Sequence, residues 1–145
     1  MNIIETVRAV LESFPKISEV CNSIHIDFAE PEPTSYGLSS TGDELIREDI
    51  VGGQLRQHSF MLYTNYSSIN DYERLSNSSV LTELGVWLER QTGCEVETII
   101  GDETFCGTLE KLTAANGMLY EIPQENETDG WQYQLQIIAE YTVDA

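Results

Sequence analysis

The stretch from Glu44 to Tyr66 limits the folds open to this chain more than any other, because it reads as one long β-hairpin. Gly52-Gly53 sits between two extended runs, and paired glycines tolerate the positive φ angles of a tight I′ or II′ turn. With those two residues as the loop, Val51 faces Gln54, Ile50 faces Leu55 and Asp49 faces Arg56. An apolar pair then sits beside an opposite-charge pair, each worth about 0.2–1 kcal/mol. The return strand carries Phe60, Met61, Leu62, Tyr63 and Tyr66, so its far end is expected to be buried in a sheet and its turn end to project. In this register Arg47, Arg56 and His58 share one face, which gathers two of the 7 basic residues of an acidic chain. One reading is local charge balance with Asp49. The other is a contact to an acidic surface on a neighbouring copy, with the glycine turn docking by strand addition or insertion. The candidate interface is therefore Arg47, Asp49, Gly52, Gly53, Arg56 and His58.

The flanking segments supply the rest of an α+β domain. Ile3, Val7, Val10, Leu11 and Phe14 recur at helical spacing within Asn2–Ser13, and Pro15 ends that pattern. Ile24, Ile26 and Phe28 alternate with His25 and Asp27 as in a half-buried strand, and a short extended piece is expected over Ser35 to Leu38. A second helix starts near Asn77 or Ser78. It carries Val80, Leu84, Trp87 and Leu88 on one face, with Gly93 placed as a left-handed cap. Val96 to Ile100, Thr108 to Thr113 and Met118 to Ile122 are weaker strands, Asn116-Gly117 is a turn, and Pro123 to Gly130 is a polar loop. The last strand is the clearest: Trp131, Tyr133, Leu135, Ile137, Ala139, Tyr141 and Val143 form an apolar face opposite Gln132, Gln134, Gln136, Glu140 and Thr142. The expected architecture is a mixed or mainly antiparallel sheet with a long central hairpin, packed by two helices, as a single domain over residues 1–145.

Composition removes several function classes. A net charge of −18, from 25 acidic and 7 basic residues, argues against stable nucleic-acid binding, which needs clustered Lys and Arg. The acids are dispersed, as on a solvated folded surface that DNA passes without sticking. No apolar run approaches 18 residues, so no membrane span is expected, and Glu5 with no small-residue cleavage site argues against a signal peptide. Cys21, Cys94 and Cys106 are odd in number and widely spaced, which predicts buried, reduced thiols.

Catalytic and metal chemistry find no motif. His25 and Asp27 share a strand, but His58 is the only other histidine and a metal needs three or four ligands at fixed geometry. Asp43-Glu44, Glu48-Asp49 and Asp102-Glu103 are acidic pairs that arise by chance in so acidic a chain. No Gly-x-Ser-x-Gly elbow or Gly-Lys-Ser/Thr phosphate loop occurs. The chain is expected to be no enzyme and to hold no metal or cofactor.

The order of these features resembles a family of small tail-completion or tail-terminator-like proteins of long-tailed bacteriophages and of prophages of Gram-positive bacteria, also described as minor tail or minor capsid components. The resemblance runs from the helix ending at Phe14-Pro15 through Ile26-Asp27-Phe28, Tyr36-Gly37-Leu38 and the hairpin turning at Gly52-Gly53 into Phe60. It continues through Asp71, Arg74, Asn77 and the helix with Leu84, Trp87 and Leu88, to Gly130, Trp131, Gln132, Tyr133 and Tyr141. The acidic loop from Pro123 to Gly130 and the stretch Glu95 to Gly107 depart from the pattern. The resemblance implies a structural protein of the virion tail, assembled in the bacterial host cytoplasm. It would cap the head-proximal end of the tail tube as a ring, usually six-fold. Its implied partners are its own copies, the tail tube protein and a head-completion protein. Such a ring needs heterologous interfaces, in which one patch meets a different patch. A head–tail connector or minor capsid role is the nearest alternative. A monomeric acidic module that sequesters a basic partner is a reading of another class, and an uncharacterised hydrolase is the weakest. The glutamine face of the last strand favours packing against protein over an electrostatic trap.

Overall fold

The computed structural model describes residues 1–15, 23–26, 35–66, 80–114, 118–121 and 131–144. Helix α1 (Ile3–Glu12) begins where Asn2, in extended conformation, accepts the Glu5 amide on its side-chain oxygen at 2.9 Å. Its apolar stripe is the expected one: Ile3, Val7, Val10, Leu11 and the following Phe14 are all buried. Helix α2 (Val80–Glu89) buries Leu84 and Leu88, and Trp87 packs against Phe14 at 5.3 Å between ring centroids. Both helices thus cover the same face of the sheet. The expected start of α2 at Asn77 or Ser78, the polar segments before it, Cys21, Asp27, Phe28, the Asn116-Gly117 turn and the loop from Pro123 to Gly130 lie outside the described residues. Gly93 is left-handed at φ +89° but caps no helix. The last turn of α2 closes through the Arg90 and Gln91 amides onto Trp87 and Leu88, whereas the Gly93 amide donates to the Leu109 carbonyl.

The strands are β1 (Ser23–Ile26), β2 (Ser35–Glu48), β3 (Gln54–Tyr66), β4 (Glu95–Ile100), β5 (Glu103–Ala114), β6 (Met118–Glu121) and β7 (Trp131–Val143). They form one sheet in the order β1-β2-β3-β7-β5-β4, and β6 also pairs with β7. Only β1 and β2 run parallel; every other pair is antiparallel. The fold is α+β, with a mainly antiparallel sheet, a long central hairpin (β2–β3) and two packing helices. The extended piece at Ser35 and the run into the hairpin are one unbroken strand, β2. Strands β5 and β6 follow one another along the same edge of β7, against Ile137–Tyr141 and then Gln132–Gln134.

β7 lies between β3 and β5, and its alternation decides which face is core. Leu135, Ile137, Ala139, Tyr141 and Val143 are buried, as the period-two pattern predicts. Across the ladder Leu62 pairs with Leu135 and Phe60 with Ile137, and Leu38 on β2 pairs with Leu62. These residues join Leu109, Leu112, Val96 and the helix side chains in one apolar cluster. The β2–β3 and β4–β5 hairpins both turn at the end of the sheet where β7 finishes, because Gln54 pairs with Val143 and the Asp144 amide donates to the Cys106 carbonyl.

Candidate functional site

Toward that end the core face changes from apolar to polar. Moving along β3 from Leu62 and Phe60, the next residues on the face are His58, Arg56 and Gln54, opposite Ala139, Tyr141 and Val143. β2 contributes Ser40 and Asp43. Residues three apart on a regular strand point to opposite faces, but β2 is bulged between Ser40 and Gly42. The extra residue returns Asp43 to the face of Ser40, where it pairs with His58.

Asp43 is the hub. Its Oδ2 accepts from Tyr141 Oη at 2.6 Å and from His58 Nδ1 at 2.8 Å, and its Oδ1 accepts from Arg56 Nε at 2.6 Å. Arg56 also donates to Gln54 Oε1 at 3.0 Å, and His58 Nε2 lies 2.9 Å from Ser40 Oγ. Partial burial pushes the Asp43 carboxyl up, but the hydrogen bonds from Tyr141, His58 and Arg56 outweigh it and hold the group below its ordinary value of 3.8. The Asp43 hydrogen bond raises Arg56, while burial and then the Asp43 carboxylate raise the Tyr141 phenol. An ionised carboxylate only accepts, so His58 donates to Asp43 from Nδ1, which leaves Nε2 facing the Ser40 hydroxyl. The imidazole also stacks on Phe60 at 4.5 Å between ring centroids, which fixes its plane.

Chemically this is a Ser–His–Asp relay in outline, the arrangement that activates a hydroxyl nucleophile. Two features set it apart. Ser40 lies within a strand rather than on a strand-to-helix elbow, and the relay carboxylate is shared with a guanidinium and a phenol. A network so satisfied also fixes the stem of the hairpin, since every member depends on the β2 bulge and the β3–β7 register.

The hairpin register differs from the sequence expectation. Arg56 pairs with Leu45, not Asp49, and Arg47 pairs with Leu55 across a second bulge between Leu45 and Arg47. Arg47 therefore lies on the face opposite Arg56 and His58, and the three do not form one basic patch. His58 is buried and Arg56 is committed to Asp43, so neither offers a free docking charge. The loop is not Gly52-Gly53 alone but Asp49 to Gly53. Asp49 spans it, its Oδ1 accepting the Val51 amide at 3.0 Å and the Gly53 amide at 2.8 Å, while its own amide donates to the Gly53 carbonyl at 2.8 Å. Gly52 takes the left-handed conformation at φ +93°. The turn is thus pinned from within, and it carries Ile50 and Val51 outward at 104% and 78% exposure. The β4–β5 hairpin similarly exposes Ile99 and Ile100.

A second feature lies across the sheet. An open cleft of about 470 Å³ runs between α1 and the start of β4, with Thr6, Ala9, Val10 and Cys94 in its wall and Glu95 and Glu97 at its edge. The Met1 carbonyl accepts the Glu97 amide at 2.9 Å, and the terminal ammonium contacts the Glu97 carboxylate at 3.2 Å. Cys94 is half-buried and Cys106 exposed, which corrects the expectation of buried thiols for both; each is unbridged. The Glu95 carboxylate raises the Cys106 thiol and makes it a poor nucleophile. Among the described residues no group of three or more His, Cys, Asp or Glu could hold a metal ion, and no helix is long and apolar enough to cross a membrane.

Fold and site together define a small α+β protein with a rigid polar hairpin stem and apolar tips. Neither a protein-family model nor a curated protein matches the chain. Sequence reasoning missed the Asp43 network. The available signal was Tyr141 within the apolar stripe of β7, a phenol whose hydroxyl needs a partner once buried.

Proposed function

We propose that this chain is a structural virion protein that caps the head-proximal end of a bacteriophage tail tube as a ring of six copies and helps join head to tail. The observation that carries the reading is the pair of hairpins at one end of the sheet, whose tips present Ile50, Val51, Ile99 and Ile100 to solvent. Exposed aliphatics at two hairpin tips, one of them pinned by Asp49, suit a surface that is covered on assembly. The charge of −18 suits a ring that DNA traverses without binding. The ordered resemblance of the sequence to tail-completion proteins supplies the biological setting, with the tube protein and a head-completion protein as partners and no catalysis or cofactor. Light scattering over a range of protein and salt concentrations, combined with sedimentation on purified tail tubes, tests it. A closed oligomer that co-sediments with tubes is the expected result. A monomer that ignores tubes returns the chain to the class of acidic binding modules.

One observation favours a second reading, that of a hydrolase: the Ser40–His58–Asp43 alignment at 2.9 and 2.8 Å. A fluorophosphonate probe decides it. Labelling of Ser40 that is lost in His58→Ala would establish an activated hydroxyl. No labelling above Ser40→Ala leaves the network a structural lock.

A further inference from the structure

We propose that the β2–β3 turn of one copy inserts Ile50 and Val51 into the cleft between α1 and β4 of the next copy, with Arg47 against Glu95 at the rim. The contact rests on the self-assembly reading above and names its two surfaces. Four observations converge on it. The turn is preorganised by Asp49, so little conformational entropy is lost when its tip is buried. The cleft is open, holds about 470 Å³ and is walled partly by Ala9, Val10 and Cys94, which gives room for an aliphatic pair. Arg47 makes no ion pair among the described residues, and it stands at the base of the turn. Glu95 and Glu97 line the cleft; Glu97 already contacts the Met1 ammonium at 3.2 Å, so Glu95 is the carboxylate that complements Arg47.

The contact is not made within one chain, because Ile50 and Val51 are exposed. β7 and β5 separate β3 from β4, about 14 Å at the usual strand spacing, so tip and cleft belong to different strands of the sheet. A surface that fits a different surface on the next copy is a heterologous interface, which repeats head to tail and closes into a ring when the rotation allows.

Three measurements test the contact. Ile50→Ser and Val51→Ser change side chains exposed at 104% and 78%, so the fold is kept, and each is expected to weaken association about tenfold or more. Arg47→Glu is expected to weaken it, and mixing that variant with Glu95→Arg to restore it. Val51→Cys, with Cys21→Ser and Cys106→Ser, is expected to cross-link to the native Cys94 of a neighbour under oxidation, and to lose the link when Cys94→Ser is added. If the wild-type chain neither associates nor seats on tail tubes, the self-assembly reading falls and the contact with it. If the wild type associates while the serine variants do so equally and no link to Cys94 forms, the contact alone is overturned. A link only between two Val51→Cys positions would also overturn it, because that pairing is symmetric.

Discussion

Tyr141 and Asp43, 98 positions apart in the chain, meet in a 2.6 Å hydrogen bond on the core face of the sheet. The bond ties the last strand to the outgoing arm of the central hairpin across β3. It exists because a single bulge in β2 turns Asp43 inward. The same carboxylate orients Arg56 and His58, so one acid sets the geometry of the hairpin stem on which the exposed tip is carried.

Tyr141→Phe keeps the buried ring and removes one of three donors to Asp43. A hydrogen bond to a charged group is worth about 1.5–3 kcal/mol, and the quarter-exposed Asp43 allows water to replace part of it, so a loss of about 1–2 kcal/mol is expected in denaturant unfolding. Arg56→Glu sets a second carboxylate beside Asp43 and is expected to cost more. Arg47→Glu, on the opposite face and without an ion pair among the described residues, is expected to leave the unfolding midpoint nearly unchanged. Equal losses from the two reversals would contradict the bulged register.

The acid limb of the stability profile follows from the sign of the Asp43 shift. Its folded value lies below 3.8, so between the two values the unfolded chain binds the extra proton. The stabilisation is fully present above the unfolded value and is lost as pH falls through the folded one. Asp43→Asn is expected to be less stable than the wild type at pH 7 and to converge on it as pH drops below 3.8. At the alkaline end Tyr141 behaves in the opposite sense. Its folded value is raised above 10.0, so its contribution is fully present below the unfolded value and is lost progressively as pH rises from there through the folded one. Thermal melts of wild type, Asp43→Asn and Tyr141→Phe across pH would show both limbs.

The turn offers a local test. Asp49→Ala removes the acceptor for the Val51 and Gly53 amides, and a cost of about 1 kcal/mol is expected from the loss of a cap of this kind. Gly52→Ala forces a side chain into φ +93° and is expected to cost about 1 kcal/mol or more. Because the turn is exposed, both variants should still fold, and hydrogen exchange should rise at Val51 and Gly53 before it rises in the core strands.

Periodicity made most of this architecture legible. The stripes of α1 and β7 are regular and bury the side chains their spacing marks, from Val7 and Leu11 to Leu135 and Ile137. The central hairpin was legible as an element but not in register. Two glycines suggest a two-residue turn and outweigh the weaker signal of Asp49, an acid able to accept the amide two residues on and so close a longer one. Bulges were the other obstacle. Each inserts one residue and exchanges the faces of everything beyond it, so the plain register sets Asp49 against Arg56 and Arg47 on the face of Arg56 and His58, where the structure has Leu45 opposite Arg56 and Arg47 on the other face. β5 was read short at its start because Glu103 and Thr104 are exposed and Phe105 and Gly107 are the only two inward positions before Leu109, too few to mark a periodic face, so pairing with β4 extends the strand.

Among the described residues Gly107 is the glycine with the least room for a side chain, and it carries the last prediction. A Cβ built there would lie 1.7 Å from the Thr142 carbonyl oxygen and 2.5 Å from its carbon, both backbone atoms that no rotamer change can move. The approach is held by the Thr108 amide donating to Thr142 Oγ1 at 2.8 Å and the Asp144 amide donating to the Cys106 carbonyl at 2.8 Å. Gly107→Ala must part β5 from the end of β7, breaking both bonds and exposing Val143. Overpacking and lost hydrogen bonds together are expected to cost about 2–4 kcal/mol. Gly42→Ala is the matched control: nothing lies within 4 Å of its Cβ position, so a change within about 0.5 kcal/mol is expected. Urea unfolding of both variants, with hydrogen exchange at Thr108 and Asp144, measures the difference. A Gly107→Ala protein as stable as the control would mean that β5 and β7 do not meet there as closely as described.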